Sequence, residues 1–369
     1  MSYDNDQRTV VVLDAGGTNF IFSAIRGNKE VVKPVRHDAH TDSLELCLET
    51  LKQGFQEAIS ELGALPDAIS FAFPGPADYP RGIIGDLPNF PSFRGGVALG
   101  PMLEAEFSVP VFINNDGSLF AYGEALAGVL PDLNQILERN GQQPYKHLLG
   151  VTFGTGFGGG VVVDNELLIG DNSCGGHIWC FRNKKYSNCI VEESVSIRAV
   201  CRVYAELSGD RTIMTPEAVF YIAEGMKDGD KDAAQKSFQE LGEMAGDAIA
   251  HAITLVDGIV VIGGGLAGAY KYIIPPIVNE LNSELGLMDG TRFPRLPAKA
   301  YDLTDSKQFN EFITAKIVNI AIPGTGKLIS YEPERKIGVT VSQLGTSMSV
   351  ALGAYAFALH RLDSSGQGG

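Results

Sequence analysis

Val10–Val32 reads VVVLDAGGTNFIFSAIRGNKEVV, and Leu148–Gly170 reads LLGVTFGTGFGGGVVVDNELLIG. Each stretch is an apolar run, a turn of glycine and threonine, a second apolar run, a short polar turn and a third strand-like run. The doubled pattern predicts two related lobes, each offering a loop to one shared ligand. In the first copy the turn is Asp14, Gly16, Gly17, Thr18 and Asn19, and in the second it centres on Gly154, Thr155 and Gly156. Glycine lacks a Cβ and lets an anion approach the backbone. Successive N–H groups in such a turn make a concave anion site, and a threonine hydroxyl adds a donor. A tight hairpin favours glycine too, but two matching copies point to phosphate. Neither copy continues into Gly-Lys-Ser/Thr, so neither is a P-loop. Neither opens into a helix, as a dinucleotide fingerprint requires.

The chain has 369 residues, enough for two ordinary domains or one large one. A net charge of −15 argues against the basic face that nucleic-acid binding needs, but local donors can still hold phosphate. Five cysteines, Cys47, Cys174, Cys180, Cys189 and Cys201, are few and odd in number, which fits reduced thiols better than a disulfide framework. The polar N-terminus is unlike a secretory signal, and no apolar run reaches spanning length. The expectation is a cytoplasmic protein with neither a nucleic-acid nor a membrane partner.

Leu44, Leu48, Leu51, Phe55, Ile59 and Leu62 recur at helical spacing, with Asp42 and Glu45 placed as a capping box. Ala68–Phe73 and Val109–Ile113 read as buried strands, the second leading through Asn114, Asn115 and Asp116 into a helix over Ser118–Leu126. In the second half, Ser237–Val256 is a periodic helix. Gly258–Ile262 is a buried strand running into Gly263, Gly264 and Gly265. Arg292–Val339 reads as an insertion or elaborated loop region, and Ser347–Leu359 as a closing apolar helix. Strand-helix alternation after a three-strand start implies a mixed sheet with helices on its faces.

In combination, several motifs resemble the ROK family, sugar kinases that share the actin/hexokinase-type fold. These are DAGGTNF, FPGP (Phe73–Pro76), LPNFP (Leu87–Pro91), FINNDGSLFAYGEALAG (Phe112–Gly128), GTGFGGG, GGHIW (Gly175–Trp179) and VVIGGGLA (Val260–Ala267). The resemblance implies an α/β, two-lobed actin-like ATPase (ribonuclease H-like) fold, with a mixed sheet flanked by helices in each lobe. Residues 1–125 with 346–369 would form a smaller lobe, and 126–345 a larger one carrying dimerisation. It implies phosphoryl transfer from ATP to a hexose or N-acetylhexosamine hydroxyl, and a homodimer. Such transfer needs positioning, charge neutralisation and a base. Asp116 is the candidate base, with helix N-capping as its alternative use. Asp14 is the candidate Mg²⁺ holder through water. Gly263–Gly265 would meet adenosine. Asn89, Asn115, Asp116, His177 and Glu192 or Glu193 match the family's sugar contacts.

Three departures bear on the substrate. Cys174 stands where the family usually carries a sugar-binding glutamate. The cysteine spacing around His177, Cys180 and Cys189 does not match the family's zinc cluster, so Zn²⁺ is not expected. The basic stretch Phe181–Ser187 is either a solvated loop or the neighbour of a charged or larger sugar. The competing function is a sugar-binding regulatory protein without kinase activity. The family's repressors carry an N-terminal winged helix, and with the phosphate motif starting at Asp14 none is expected here.

Overall fold

The computed structural model describes residues 3–15, 18–75, 77–85 and 92–366. The first hairpin, Val10–Ala15 paired antiparallel with Asn19–Arg26, begins a sheet. Its strand order is Lys29–Glu30, Asn19–Arg26, Val10–Ala15, Ala68–Ala72, Val111–Asn114, and Val35–Asp38 also pairs with Asn19–Arg26. The last three strands of that order are parallel. A second sheet repeats the plan in the order Glu166–Leu167, Phe157–Val163, Leu148–Phe153, Ile259–Gly263, Lys336–Val341, Lys299–Asp302. Its last four strands are parallel. The backbone divides into two compact units, one of residues 1–129, 160–176 and 343–369, the other of 130–159 and 177–342.

In the first unit the Leu44–Leu62 helix lays Cys47, Leu51, Phe55 and Ala58 on the sheet. Phe55 centres an aromatic cluster, 5.0 Å from Phe22 and 5.5 Å from Phe71 between ring centroids. The N-cap is Ser43, whose Oγ accepts from the Leu46 N–H at 3.4 Å, rather than Asp42. A hydroxyl one position nearer the first turn reaches the free N–H groups that Asp42 does not. Gly63 closes the helix in the left-handed region at φ 69°.

The apolar Thr346–Gly366 helix packs on the same sheet and crosses the Asp116–Leu126 helix. The crossing is backbone to backbone. A Cβ on Gly123 would lie 1.9 Å from the Ser349 carbonyl oxygen, and one on Gly353 1.9 Å from that of Leu119. Fully buried Glu124 locks it, accepting from Ser349 Oγ with one carboxylate oxygen and from the Val129 N–H at 3.0 Å with the other. Gly27 N–H donates to Tyr355 Oη at 2.9 Å, tying the same helix to the first hairpin.

Arg292–Val339 is not a loop region. It contributes Lys299–Asp302 and the start of Lys336–Val341 to the second sheet, with a short helix at Ser306–Phe312. The Lys299–Asp302 strand is only 4 residues long and charged at both ends, which hides it from pattern reading. Ile337, Val339 and Val341, by contrast, are β-branched and alternate as a strand should. The long helix starts at Lys231 instead of Ser237, because Asp230 caps it by accepting from Ala233 N–H at 2.9 Å. Among the described residues, no helix is long and apolar enough to cross a membrane.

Gly353→Ala forces the crossing helices apart. The expected cost is about 1–3 kcal/mol of overpacking, read as a lower urea midpoint with an unchanged slope. An unchanged midpoint would show that the crossing has slack.

Candidate active site

Three adjacent parallel strands of the first unit end side by side. The register pairs Leu13 with Phe71 and Phe71 with Ile113, so Asp14, the Phe73–Gly75 turn and Asn114–Asp116 emerge from neighbouring carboxyl ends. Ligands of open α/β sheets gather at such ends. Asp14 is half-buried at the end of its strand. Asn19 holds Thr18, its Nδ2 donating to Thr18 Oγ1 at 3.0 Å, and Arg36 donates to Asn19 Oδ1 at 3.1 Å. Gly16, Gly17 and Asn89 lie outside the described residues.

The N-cap of the Asp116–Leu126 helix is Asn115, not Asp116. Asn115 Oδ1 accepts from Gly117 N–H at 2.9 Å and Ser118 N–H at 3.3 Å. Asp116 is the first helical residue, and its Oδ1 also accepts from Gly117 N–H at 2.8 Å. The Asp116 residue keeps a solvent-accessible surface, yet the protein around its carboxyl is dense enough that desolvation raises its pKa. The Asp14 carboxylate pushes in the same direction, while the Gly117 N–H, Asp116's own N–H and the Asn115 side chain oppose. Asp14 and Asp116 thus form an acidic pair within electrostatic reach of each other. Gly160 supports this corner, since a Cβ there would lie 2.4 Å from the Gly117 carbonyl oxygen.

In the second unit, Gly154–Gly156 and Gly263–Gly265 follow two parallel strands whose register pairs Gly263 with Thr152. Gly264, at φ 88°, packs its Cα where any Cβ would lie 2.2 Å from the Phe153 carbonyl oxygen. The two turns are therefore held against each other by a contact only glycine permits. Glu192 braces the first of them, its Oε2 accepting from Phe157 N–H at 3.0 Å. Sequence reasoning missed Arg198, which donates to the Thr155 carbonyl at 3.1 Å and to Glu193 Oε1 at 3.0 Å, with Glu192 3.6 Å away. A signal existed: an arginine in the first turn of the Ile197–Ser208 helix opposes the helix dipole and needs a reason.

His177 is half-buried, and burial lowers its pKa, so it is a neutral imidazole at neutral pH. Its ring lies 6.1 Å from that of Trp179. Cys180 Sγ donates to the His177 carbonyl at 3.0 Å and Cys174 Sγ to that of Asn172 at 3.2 Å. Among the described residues, His177, Cys180 and Cys189 do not assemble into a metal-holding group. The basic stretch meets acids of its own unit, Lys184 bonding Glu243 and Glu280 and Lys185 bonding Glu240.

Two sheets of like strand order, each ending in glycine turns, define an actin-like ATPase fold. The chain belongs to the ROK family, matched over residues 10–300. It is 26% identical over 294 residues to a glucokinase of Thermotoga maritima, covering 73% of this chain and 85% of that protein. The crystal structure of a glucokinase from Parabacteroides distasonis is 58% identical, with a TM-score of 0.87 and coverage of 98% of this chain and 99% of that one. A ROK family glucokinase from Streptomyces griseus, solved with glucose and AMPPNP, shares the fold at 19% identity and a TM-score of 0.59, covering 94% of this chain and 98% of that one.

Because folding raises the Asp116 pKa, its ionised form costs the folded state stability at pH values above that pKa, and the cost vanishes below the unfolded value. Asp116→Asn therefore melts higher than wild type at neutral pH, and the gap closes on acidification. A variant that melts lower at neutral pH would contradict the desolvated carboxylate.

Proposed function

We propose that this chain transfers the γ-phosphoryl group of ATP to a hydroxyl of glucose, with Asp116 as general base. Sugar phosphorylation follows from the family and its relatives, and the choice of glucose rests on the two glucokinases of highest similarity described above. The observation that carries the base assignment is that Asn115, not Asp116, caps the helix, while desolvation raises the pKa of Asp116 just past a strand end. A carboxylate of raised pKa is a better proton acceptor near neutrality.

Asp116 takes the proton from the acceptor hydroxyl as its oxygen attacks the γ-phosphorus, and the bond to the β-phosphate breaks to release ADP. Asn115 and Asn89 are assigned to sugar hydroxyls. So are neutral His177 and the Glu192–Glu193 pair. Thr18, Asn19, Gly16, Gly17, Gly154, Thr155 and Gly156 are assigned to the phosphates, and Gly263–Gly265 to adenosine. Hard carboxylate oxygens suit Mg²⁺, and the Asp14–Asp116 pair is an anionic setting such an ion would relieve. Asp14 would hold it through water, and the ion would neutralise charge on the phosphates. The reading extends to a homodimer in the cytoplasm.

ADP release is measured with glucose, fructose, mannose and N-acetylglucosamine, with and without EDTA. Glucose is expected to give the highest kcat/KM, and chelation to abolish turnover. Asp116→Asn should lower kcat by roughly 10²–10⁴-fold with glucose affinity retained. The acid limb of wild-type kcat/KM should fall above the ordinary aspartate range near 4, because a base works only when deprotonated. Glucose binding without ADP release would instead give a sugar-responsive regulator, and turnover preserved in Asp116→Asn would remove the base assignment.

A further inference from the structure

The Val35–Asp38 strand runs along the outer side of the first hairpin, antiparallel to Asn19–Arg26, and its register sets Arg36 opposite Ile21. On its other side Ile21 opposes Asp14. Residues directly opposed across a sheet share a face, so Asp14, Ile21 and Arg36 stand in one row. Two strand spacings, about 10 Å, separate the backbones of Asp14 and Arg36. Just past the same edge strand, Ala39 N–H donates to the Thr18 carbonyl at 3.0 Å and ties the glycine turn to it. Arg36 is exposed, and among the described residues no carboxylate lies in ion-pair range of it, although Asp38 sits opposite Asn19 on the same face. The chain carries 44 acidic against 29 basic side chains. An arginine that bonds an amide there instead of an acid calls for a reason.

Arg36 donates from Nε to Asn19 Oδ1 at 3.1 Å, and Asn19 donates from Nδ2 to Thr18 Oγ1 at 3.0 Å. The chemistry of the three groups fixes the direction of both bonds. A guanidinium has donors only, so the amide must turn its oxygen toward Arg36. The other end of the amide is then its NH₂, which is also only a donor, so Thr18 Oγ1 must accept. A hydroxyl that accepts in this way keeps its own hydrogen for another oxygen. Thr18 is exposed, and among the described residues its hydroxyl donates to none. Without Arg36 the amide is free to turn over and take the Thr18 hydrogen on its own oxygen.

We propose that Arg36 is a positioning residue of the first glycine turn, holding the Thr18 hydroxyl through Asn19 as a hydrogen-bond donor to a nucleotide phosphate. Linked hydrogen bonds polarise one another, so the cation at the head of this relay strengthens the donor at its end. The inference rests on the assignment of Thr18 and Asn19 to phosphate above. It adds a residue that acts through those two.

A double-mutant cycle read by binding tests the relay. AMPPNP is titrated calorimetrically into wild type, Arg36→Met, Thr18→Val and the protein carrying both substitutions. Arg36→Met keeps a long stem and removes the donor. It should weaken AMPPNP roughly five- to tenfold, about the worth of one hydrogen bond. Arg36→Lys, whose ammonium is again only a donor, should recover most of that affinity. In the Thr18→Val background Arg36→Met should cost nothing further, because the hydroxyl it orients is gone. An Arg36 that acted by charge alone, or by holding up the fold, would weaken AMPPNP equally in both backgrounds. That result, or unchanged binding by Arg36→Met, would overturn the proposal. Glucose-dependent ADP release by wild type tests the kinase reading separately. AMPPNP binding without turnover would remove that reading while the cycle still decides the relay, and a wild type that does not bind AMPPNP would sink both.

Discussion

The first unit depends on one crossing of two helices. Gly123 and Gly353 allow the Asp116–Leu126 and Thr346–Gly366 helices to touch through their backbones, and the buried Glu124 carboxylate fastens them. Any side chain at either glycine would lever the first helix off the second. That helix carries Asp116 at its first position, with the backbone at Gly160 pressed against the next residue. The carboxylate's place is thus set by close contacts on two sides of its helix together with the Gly117 N–H that donates to its Oδ1.

The second unit reaches a comparable rigidity by other means. Its glycine turn cannot hold itself, since glycine loses more backbone freedom on ordering than any other residue. Glu192 grips the Phe157 N–H just after the turn, and Arg198 the Thr155 carbonyl within it. Its neighbour, Gly263–Gly265, is positioned by backbone contact at Phe153. In each unit the parallel strands deliver their turns at carboxyl ends, where ligands of open α/β sheets gather.

The hairpins were legible because local chemistry writes them, with apolar runs on either side of glycine-rich turns. Asp116 was legible as a candidate, but its role turned on whether it capped the helix. Asn115 and Asp116 are both good caps, and only hydrogen-bond geometry separates them. Glu124 and Ser349 are 225 positions apart, so no local pattern announces their bond. For Arg198 only its place in the first turn of a helix was visible, since the Thr155 carbonyl it grips lies more than forty positions earlier. The Lys299–Asp302 strand was too short to show a period.

The Glu124–Ser349 bond also orders events during synthesis. Domains tend to fold from the N-terminus as the chain emerges. Here the helix bearing Asp116 emerges long before the helix that seats it. A nascent chain therefore completes the second unit, with both of its glycine turns, while the first still waits for its last segment. Chains that terminate early would carry both glycine turns of the second unit without the contact that seats the Asp116–Leu126 helix, so the first unit is completed only by the final helix.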